Sequence, residues 1–332
     1  MNERILQQTQ PERFYWGNER GTDAIDQINS CYKKIVFWRR NLFMLSNGAT
    51  GKNFLREVTR LLNSWVENSP IKCIALKAMH VMPALLLQKP SKNSKSKDHV
   101  NALQRRLEWW NKGDFQALCD ECEMLQSRLP KPTERRNIEV VSRKFKDLMQ
   151  IENVNGAIKL LTNNMAGGIL PLNDETFNLL RVKHPPGEQA KEDVILQGPL
   201  STVNPIVYDV IDDTYVLKAA QVTKGGSGPS GMDADGWRKP LTSKVFGECG
   251  LDLRRAIANV IKKLCIENVE DQSLEAFTAC RLVPLDKKPG VRPIGVGEVL
   301  RRICGKVVMA VLQKDVLKSS AEIQMCWSEV WQ

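Results

Sequence analysis

The residue types that do chemistry are gathered at a few places along this chain. Cys119-Asp-Glu-Cys122 has the spacing of half a zinc site. Structural zinc takes four ligands, and no second Cys/His pair stands at a suitable distance, so no metal is expected there and Glu121 and Glu123 fit an exposed helix face. The histidines, His80, His99 and His184, have no cysteine or serine partner in a recognised nucleophile motif, which leaves hydrolysis without support. Tyr208-Asp-Val-Ile-Asp-Asp213 sets a tyrosine ahead of paired carboxylates. Two-metal catalysis needs such a pair on a tight hairpin beside a second carboxylate, gripping ions about 4 Å apart. Neither the spacing nor the neighbour is present. Asp212 and Asp213 are instead expected to cap a helix beginning near Thr214, where carboxylates meet free backbone N–H groups and the positive end of the dipole.

Two longer stretches are richer. Thr223-Lys-Gly-Gly-Ser-Gly-Pro-Ser-Gly-Met-Asp-Ala-Asp-Gly-Trp-Arg238 carries enough glycine for positive φ angles and close approach of the backbone to another surface. It lacks the Walker pattern and no apolar strand leads into it, so nucleotide hydrolysis is not expected. A flexible linker would explain the glycines but not Trp237 or the Asp233/Asp235 pair. In the second stretch, 279–308, Arg281, Lys287, Lys288, Arg292, Arg301, Arg302 and Lys306 outnumber Asp286 and Glu298. Residues 280–285 alternate as an extended strand, Pro289-Gly290 is a turn, and 292–296 can return antiparallel. The result is a hairpin with cations at its tip, followed by a helix carrying Val299, Leu300, Ile303, Val307, Val308 and Val311 on one face.

The elements that must position these stretches are helical on the amino-terminal side. Phe54, Leu55, Val58, Leu61, Leu62 and Trp65 recur at three- and four-residue steps, the stripe of an amphipathic helix. Leu103, Leu107 and Trp110 form another, Leu118, Cys122 and Leu125 continue it, and Ile138, Val141, Phe145 and Leu148 make a further one beyond Pro130 and Pro132. Residues 88–98 are polar and basic, and are expected to form a mobile loop that is solvated or touches phosphates. A helical pair is expected over 154–161 and 174–182, turned by Gly167-Gly168 and ended by His184-Pro185-Pro186-Gly187. On the helix carrying Leu253, Ile257, Val260 and Leu264, the cations Arg254, Arg255, Lys262 and Lys263 are expected opposite the apolar stripe, either solvated or on phosphates.

The chain has 332 residues, 42% hydrophobic and 26% charged, enough for a core in roughly two domains. Its formal net charge of +10 favours a polyanionic partner such as nucleic acid. No segment approaches the ~20 apolar residues of a membrane span, the start lacks a secretory signal, and the nine cysteines are scattered. These point to an intracellular protein, cytoplasmic or nuclear, with no membrane partner.

At this point the sequence resembles the reverse transcriptases of non-LTR, LINE-like retrotransposons, especially a form common in cnidarian and other invertebrate genomes. Gly-Pro-Ser-Gly-Met-Asp-Ala-Asp-Gly-Trp, ending at Trp237, resembles the family's Gly-Pro-x-Gly-x-Asp element before the fingers. Arg281-Leu-Val-Pro-Leu-Asp-Lys-Lys with Gly290-Val-Arg-Pro-Ile resembles the first fingers motifs. The likeness is firmest over 224–319, and 37–205 is similar to the helical region preceding the fingers.

That resemblance implies a right-hand polymerase whose fingers hairpin closes over template and deoxynucleotide. Lys288 and Arg292 would face the triphosphate, with Lys287 replacing Lys288 if the register slips by one. Template RNA would meet Lys224, Gly225, Gly226, Gly228, Ser230, Gly231 and Arg238, with Arg254 and Arg255 nearby. Trp237 would either stack on a base or anchor the loop in the core. The partners implied are RNA or an RNA/DNA hybrid, together with the palm of the parent polymerase. The palm's metal-binding Asp and Tyr-x-Asp-Asp hairpin do not occur before Gln332, and Cys326-Trp-Ser-Glu-Val-Trp-Gln departs from the family's Cys-Ala-Gly-Gln, as a shifted reading frame would produce. Mg²⁺ is therefore implied only for the complete parent, and no cofactor is expected on this chain. The expected fold is mostly α with a small α+β part: helical over 1–200, then partial fingers over 201–332. The expected function is that of a fragment of an RNA-directed DNA polymerase, inactive alone. A non-catalytic helical RNA-binding or partner-binding module and a pseudogene product are the alternatives.

Overall fold

The computed structural model describes residues 21–67, 69–129, 138–150, 152–154, 156–158, 160, 169–171, 173–184, 204–287 and 290–320. In chain order the elements are α1 (Gly21–Ile35), α2 (Ala49–Val66), α3 (Lys72–Leu86), α4 (Ser96–Lys112), α5 (Phe115–Ser127), α6 (Ile138–Gln150), α7 (Asp174–Lys183), α8 (Ile206–Asp209), α9 (Asp213–Val222), α10 (Ala234–Thr242), α11 (Glu248–Ile266), α12 (Asp271–Thr278), β1 (Cys280–Asp286), β2 (Val291–Gly297) and α13 (Val299–Ser320). The described residues are mostly helical, with one small two-stranded antiparallel sheet. Among the described residues no helix is long and apolar enough to cross a membrane. Expectations resting on Pro130, Pro132, the Gly167-Gly168 turn, 185–203, Lys288, Pro289 and 321–332, and much of 154–161, lie outside the described residues, as do the side chains of Ile138 and Val141.

The chain divides into two units, one of 1–128, 203–279 and 297–332, the other of 129–202 and 280–296. The first is built around α3, whose residues Ile74 to Leu86 are all buried. It packs against α1, α2, α4, α5 and α12, while α11 packs against α2, α9, α10 and α13. The α2 stripe behaves as its period requires, since Phe54, Leu55, Val58, Leu61, Leu62 and Trp65 are all buried. Leu103, Leu107, Trp110, Leu118, Cys122 and Leu125 are buried likewise. Asp212 caps α9, its Oδ1 accepting from the N–H groups of Thr214 at 2.9 Å and Tyr215 at 3.1 Å.

Several polar groups enter this core because a specific partner waits for them. Arg106 is fully buried, donating to the carbonyls of Leu86 at 3.1 Å and Gln88 at 2.6 Å, and pairing with Glu121 at 3.0 Å. It thereby satisfies carbonyls left open where α3 ends. Glu121 also takes Arg105 at 2.6 Å, so it does not sit on an exposed helix face as its sequence neighbours suggest. Lys263 is buried too, its Nζ donating to the Val66 carbonyl at 2.6 Å at the end of α2. It is a cap between helices and does not join Arg255 on a solvated face. Residues 88–98 are also more ordered than a polar run suggests. Gln88 is buried, bridges to Leu42 and accepts at its side-chain oxygen from Gln126 Nε2 at 3.0 Å. Helix α4 begins within the run because the Asp98 carboxylate accepts the Lys95 N–H at 2.8 Å.

In the second unit, β1 and β2 form the expected hairpin. The Lys287 N–H donates to the Gly290 carbonyl at 2.9 Å, and Gly290 turns the chain at φ +102°. Ile169 bridges to Leu285 on β1. Helix α7 starts where Asn173 Oδ1 accepts from the Thr176 N–H at 2.8 Å. It leaves Phe177 and Val182 exposed at 63% and 81%, well beyond a core face.

Candidate nucleic-acid interface

In the first unit the glycine-rich loop follows α9. Thr223 is buried, its Oγ1 donating to the Ala219 carbonyl at 2.7 Å, so the chain leaves the helix along a fixed path. Beyond it the loop splits into two parts. Lys224, Gly225 and Gly226 are exposed, whereas residues 227–232 are buried.

The buried part is held by one carboxylate. Glu298, the residue before α13, is 1% exposed; its Oε1 accepts from the Ser230 N–H and its Oε2 from the Ser230 hydroxyl, each at 2.7 Å. A charge-assisted pair of this kind is stronger than neutral hydrogen bonds and fixes direction. It also explains Gly228, since a Cβ there would lie 2.8 Å from the Glu298 Cδ and 2.9 Å from its backbone nitrogen. Gly231 needs its lack of a side chain for conformation, with φ at +80°.

The exposed part is held by an arginine one turn along α13. Arg302 donates through Nη1 to the Lys224 carbonyl at 2.7 Å and through Nη2 to the Gly226 carbonyl. Gly225 lies beneath that guanidinium at φ +107°, and a Cβ on it would come within 2.6 Å of Nη1. Both acceptors are neutral carbonyls, so these contacts leave the charge of Arg302 uncompensated beside that of Lys224. From the other side Arg40 donates to the Gly231 carbonyl at 3.3 Å and pairs with Asp233. Asp233 in turn caps α10, accepting the Gly236 N–H at 2.8 Å.

The remaining expected contacts are distributed unevenly. Gly228, Ser230 and Gly231 lie beneath the surface, and the polar groups of Ser230 are turned to Glu298. Arg238 is half-buried, donating to the Thr223 carbonyl at 2.6 Å and pairing with Asp235. Arg254 is half-buried between the Leu241 carbonyl at 2.9 Å and Asp213 at 3.4 Å. Arg255 is exposed, with Asp252 at 3.6 Å. Trp237 is 4% exposed, which makes it a core anchor for α10 and leaves no face for a base to stack on. In the second unit, Lys287 and Arg292 are exposed around the hairpin turn, and Lys288 lies outside the described residues.

Sequence reasoning missed Glu298, Arg302 and Arg40 as the parts that shape the loop. Glu298 and Arg302 are one turn apart before and within a helix, a weak signal that they share a target, but nothing local names Ser230. Arg40 has no such signal. Cys119 and Cys122 are buried in α5, with Cys122 donating to the Leu85 carbonyl at 3.1 Å. Among the described residues no group of three or more His, Cys, Asp or Glu side chains is placed to hold a metal ion. No protein-family model, no curated protein and no solved structure matches the chain.

Proposed function

We propose that this chain is part of a reverse transcriptase of the non-LTR retrotransposon type, comprising the helical region before the fingers and the first fingers hairpin, and that it binds single-stranded RNA without polymerising. The observation that carries the reading is the glycine-rich loop: an exposed Lys224-Gly225-Gly226 edge, bare of side chains at its two glycines, with the charge of Arg302 fixed against its carbonyls. Such an edge suits a phosphodiester backbone, which needs close approach and cations held in place. The resemblance of Gly228 to Trp237 and of Arg281 to Ile294 to the family's motifs adds the identity of the parent. Its Mg²⁺ site is not assembled by the described residues, and no step is assigned to a metal ion.

Under this reading the template contacts are Lys224, Gly225, Gly226 and Arg302, with Arg255 as an outer cation, while Lys287, Lys288 and Arg292 serve the nucleotide triphosphate of the parent enzyme. The test is binding of a fluorescent single-stranded RNA to the full chain, alongside primer extension with Mg²⁺ or Mn²⁺. Salt-sensitive binding with no extension is expected. Extension above a buffer control sinks the claim of inactivity, and binding indifferent to salt sinks the claim of an RNA surface. A second reading, a partner-binding helical module, is favoured by the exposed apolar side chains of Ile169, Phe177 and Val182 in the second unit.

A further inference from the structure

Beside its buried apolar stripe, α2 carries polar side chains that border a cleft in the first unit. Arg56, Thr59, Asn63 and Ser64, with Ser69 beyond the helix end and Asp252 on α11, line a space of about 420 Å³. Small-ligand sites run to roughly 300–1,000 Å³, so the cleft has room for one. Most charges around it are matched. Arg60 is held by Glu57 at 2.6 Å, Glu67 by Lys263 at 3.3 Å and Asp252 by Arg255 at 3.6 Å. Arg56 differs: it is exposed, and its Nη1 donates to the neutral side-chain oxygen of Asn53 at 2.6 Å. One positive charge therefore borders the cleft with no carboxylate paired to it among the described residues. The uncharged lining is short of partners as well. The Thr59 hydroxyl is shut off from solvent and has no hydrogen bond among the described residues. A helical threonine can relieve this by donating to a carbonyl three or four residues back. Thr242 and Thr278 do so, to Arg238 at 2.9 Å and Leu274 at 3.0 Å, and Thr59 does not. Asn63 and Ser64 are half-buried, and their side chains also bond nothing among the described residues.

We propose that this cleft between α2 and α11 binds a phosphate group, with Arg56 supplying the charge and Thr59, Asn63 and Ser64 the hydrogen bonds. A phosphate presents several strong acceptor oxygens. The cleft presents the donors: the guanidinium N–H groups that Arg56 does not spend on Asn53, two hydroxyls and an amide NH₂. A helical threonine has two χ1 rotamers, and a change between them turns the Thr59 hydroxyl toward the cleft. A cation is disfavoured, because Asp252 and Glu67 are already neutralised by Arg255 and Lys263. The carboxyl end of a helix ordinarily repels an anion. At the end of α2, however, the Asn63 carbonyl accepts the Glu67 N–H at 2.8 Å and the Val66 carbonyl accepts from the Lys263 ammonium at 2.6 Å, which offsets its negative end. A free mononucleotide and a phosphorylated RNA end share this chemistry. The site does not rest on the RNA reading, whose loop residues are different ones.

The test titrates inorganic phosphate with the full chain at constant ionic strength and follows the phosphorus NMR line. Broadening that saturates is expected. Arg56→Ala should weaken binding about tenfold or more, the scale of a charged hydrogen bond. Its side chain is exposed and bonds the Asn53 amide, so its loss leaves the core intact. Thr59→Val should weaken binding roughly threefold while leaving the chain as stable or more so, because a buried hydroxyl without a partner is removed. Lys92→Ala, at an exposed cation outside the cleft, should change nothing. Competition by adenosine 5′-monophosphate but not by adenosine assigns the site to a free mononucleotide. Displacement by an RNA strand bearing a 5′-phosphate, but not by the same strand without it, assigns it to an RNA end. If no saturable broadening occurs, or if it survives Arg56→Ala and Thr59→Val alike, the proposal is overturned.

Discussion

A single buried carboxylate shapes the loop on which the RNA reading depends. Glu298 supplies both acceptors for Ser230. Glu298→Ala leaves a buried N–H and a buried hydroxyl unpartnered, which should cost about 2–4 kcal/mol of stability. Glu298→Gln, which keeps one acceptor and the shape, should cost less. Urea unfolding midpoints of the two variants check this ranking. Tyr32 gives a pH counterpart. Burial first, then the charges of Glu275 and Glu298, push its phenol up to about 12. A phenol whose pKa is higher folded than unfolded favours the folded state while it stays neutral. That contribution is whole below its ordinary value near pH 10 and is lost as pH rises through about 12. Stability measured from pH 9 upward (roughly to 12) should therefore fall more steeply in the natural chain than in Tyr32→Phe. Equal slopes would remove Tyr32 as the cause.

Among the elements, α3 decides the packing of the first unit and was the least legible. Its apolar residues cover every side, so no stripe of period 3.6 marks it, and a helix buried all round resembles any short apolar run. Its end depends on Arg106, which brings a charge to the Leu86 and Gln88 carbonyls and to Glu121. Arg106→Ala would leave those carbonyls without their donor and Glu121 with Arg105 as its remaining partner, and should cost about 3–5 kcal/mol. Adding Glu121→Gln should recover part of the loss, because the half-buried carboxylate that Arg106 helped to neutralise goes with it. A double-mutant cycle reads that coupling directly. The hairpin is the opposite case. A Pro-Gly turn between alternating runs is a local signal, and β1 and β2 follow it closely.

For the whole molecule, the net charge of +10 sets a prior for a polyanion, but the side chains that bear it are not equivalent. Lys263 and Arg106 spend their charge inside. Lys224, Arg255, Lys287 and Arg292 are at the surface, as are Lys92, Lys95 and Lys97. Each phosphate contact on a single strand should contribute about −0.7 to the slope of log affinity against log salt. Lys224→Ala with Arg255→Ala is expected to flatten that slope by roughly one to two units. Neutralising Lys92, Lys95 and Lys97 should change it less, and the reverse ranking would move the RNA surface to the amino-terminal helices. The sequence by itself determined what depends on near neighbours: the buried stripes of α2, α4 and α5, the Asp212 cap and the hairpin turn. These rest on helical period, on an acceptor placed two or three residues before its donor, and on the φ angle open to glycine. Only the tertiary structure decided that Glu298 grips Ser230, 68 residues away, that Lys263 caps Val66 across 197 residues, and that half of the glycine-rich loop is interior. A buried polar group is stable only where a partner meets it, and that partner is chosen by packing between distant helices, which no local pattern records.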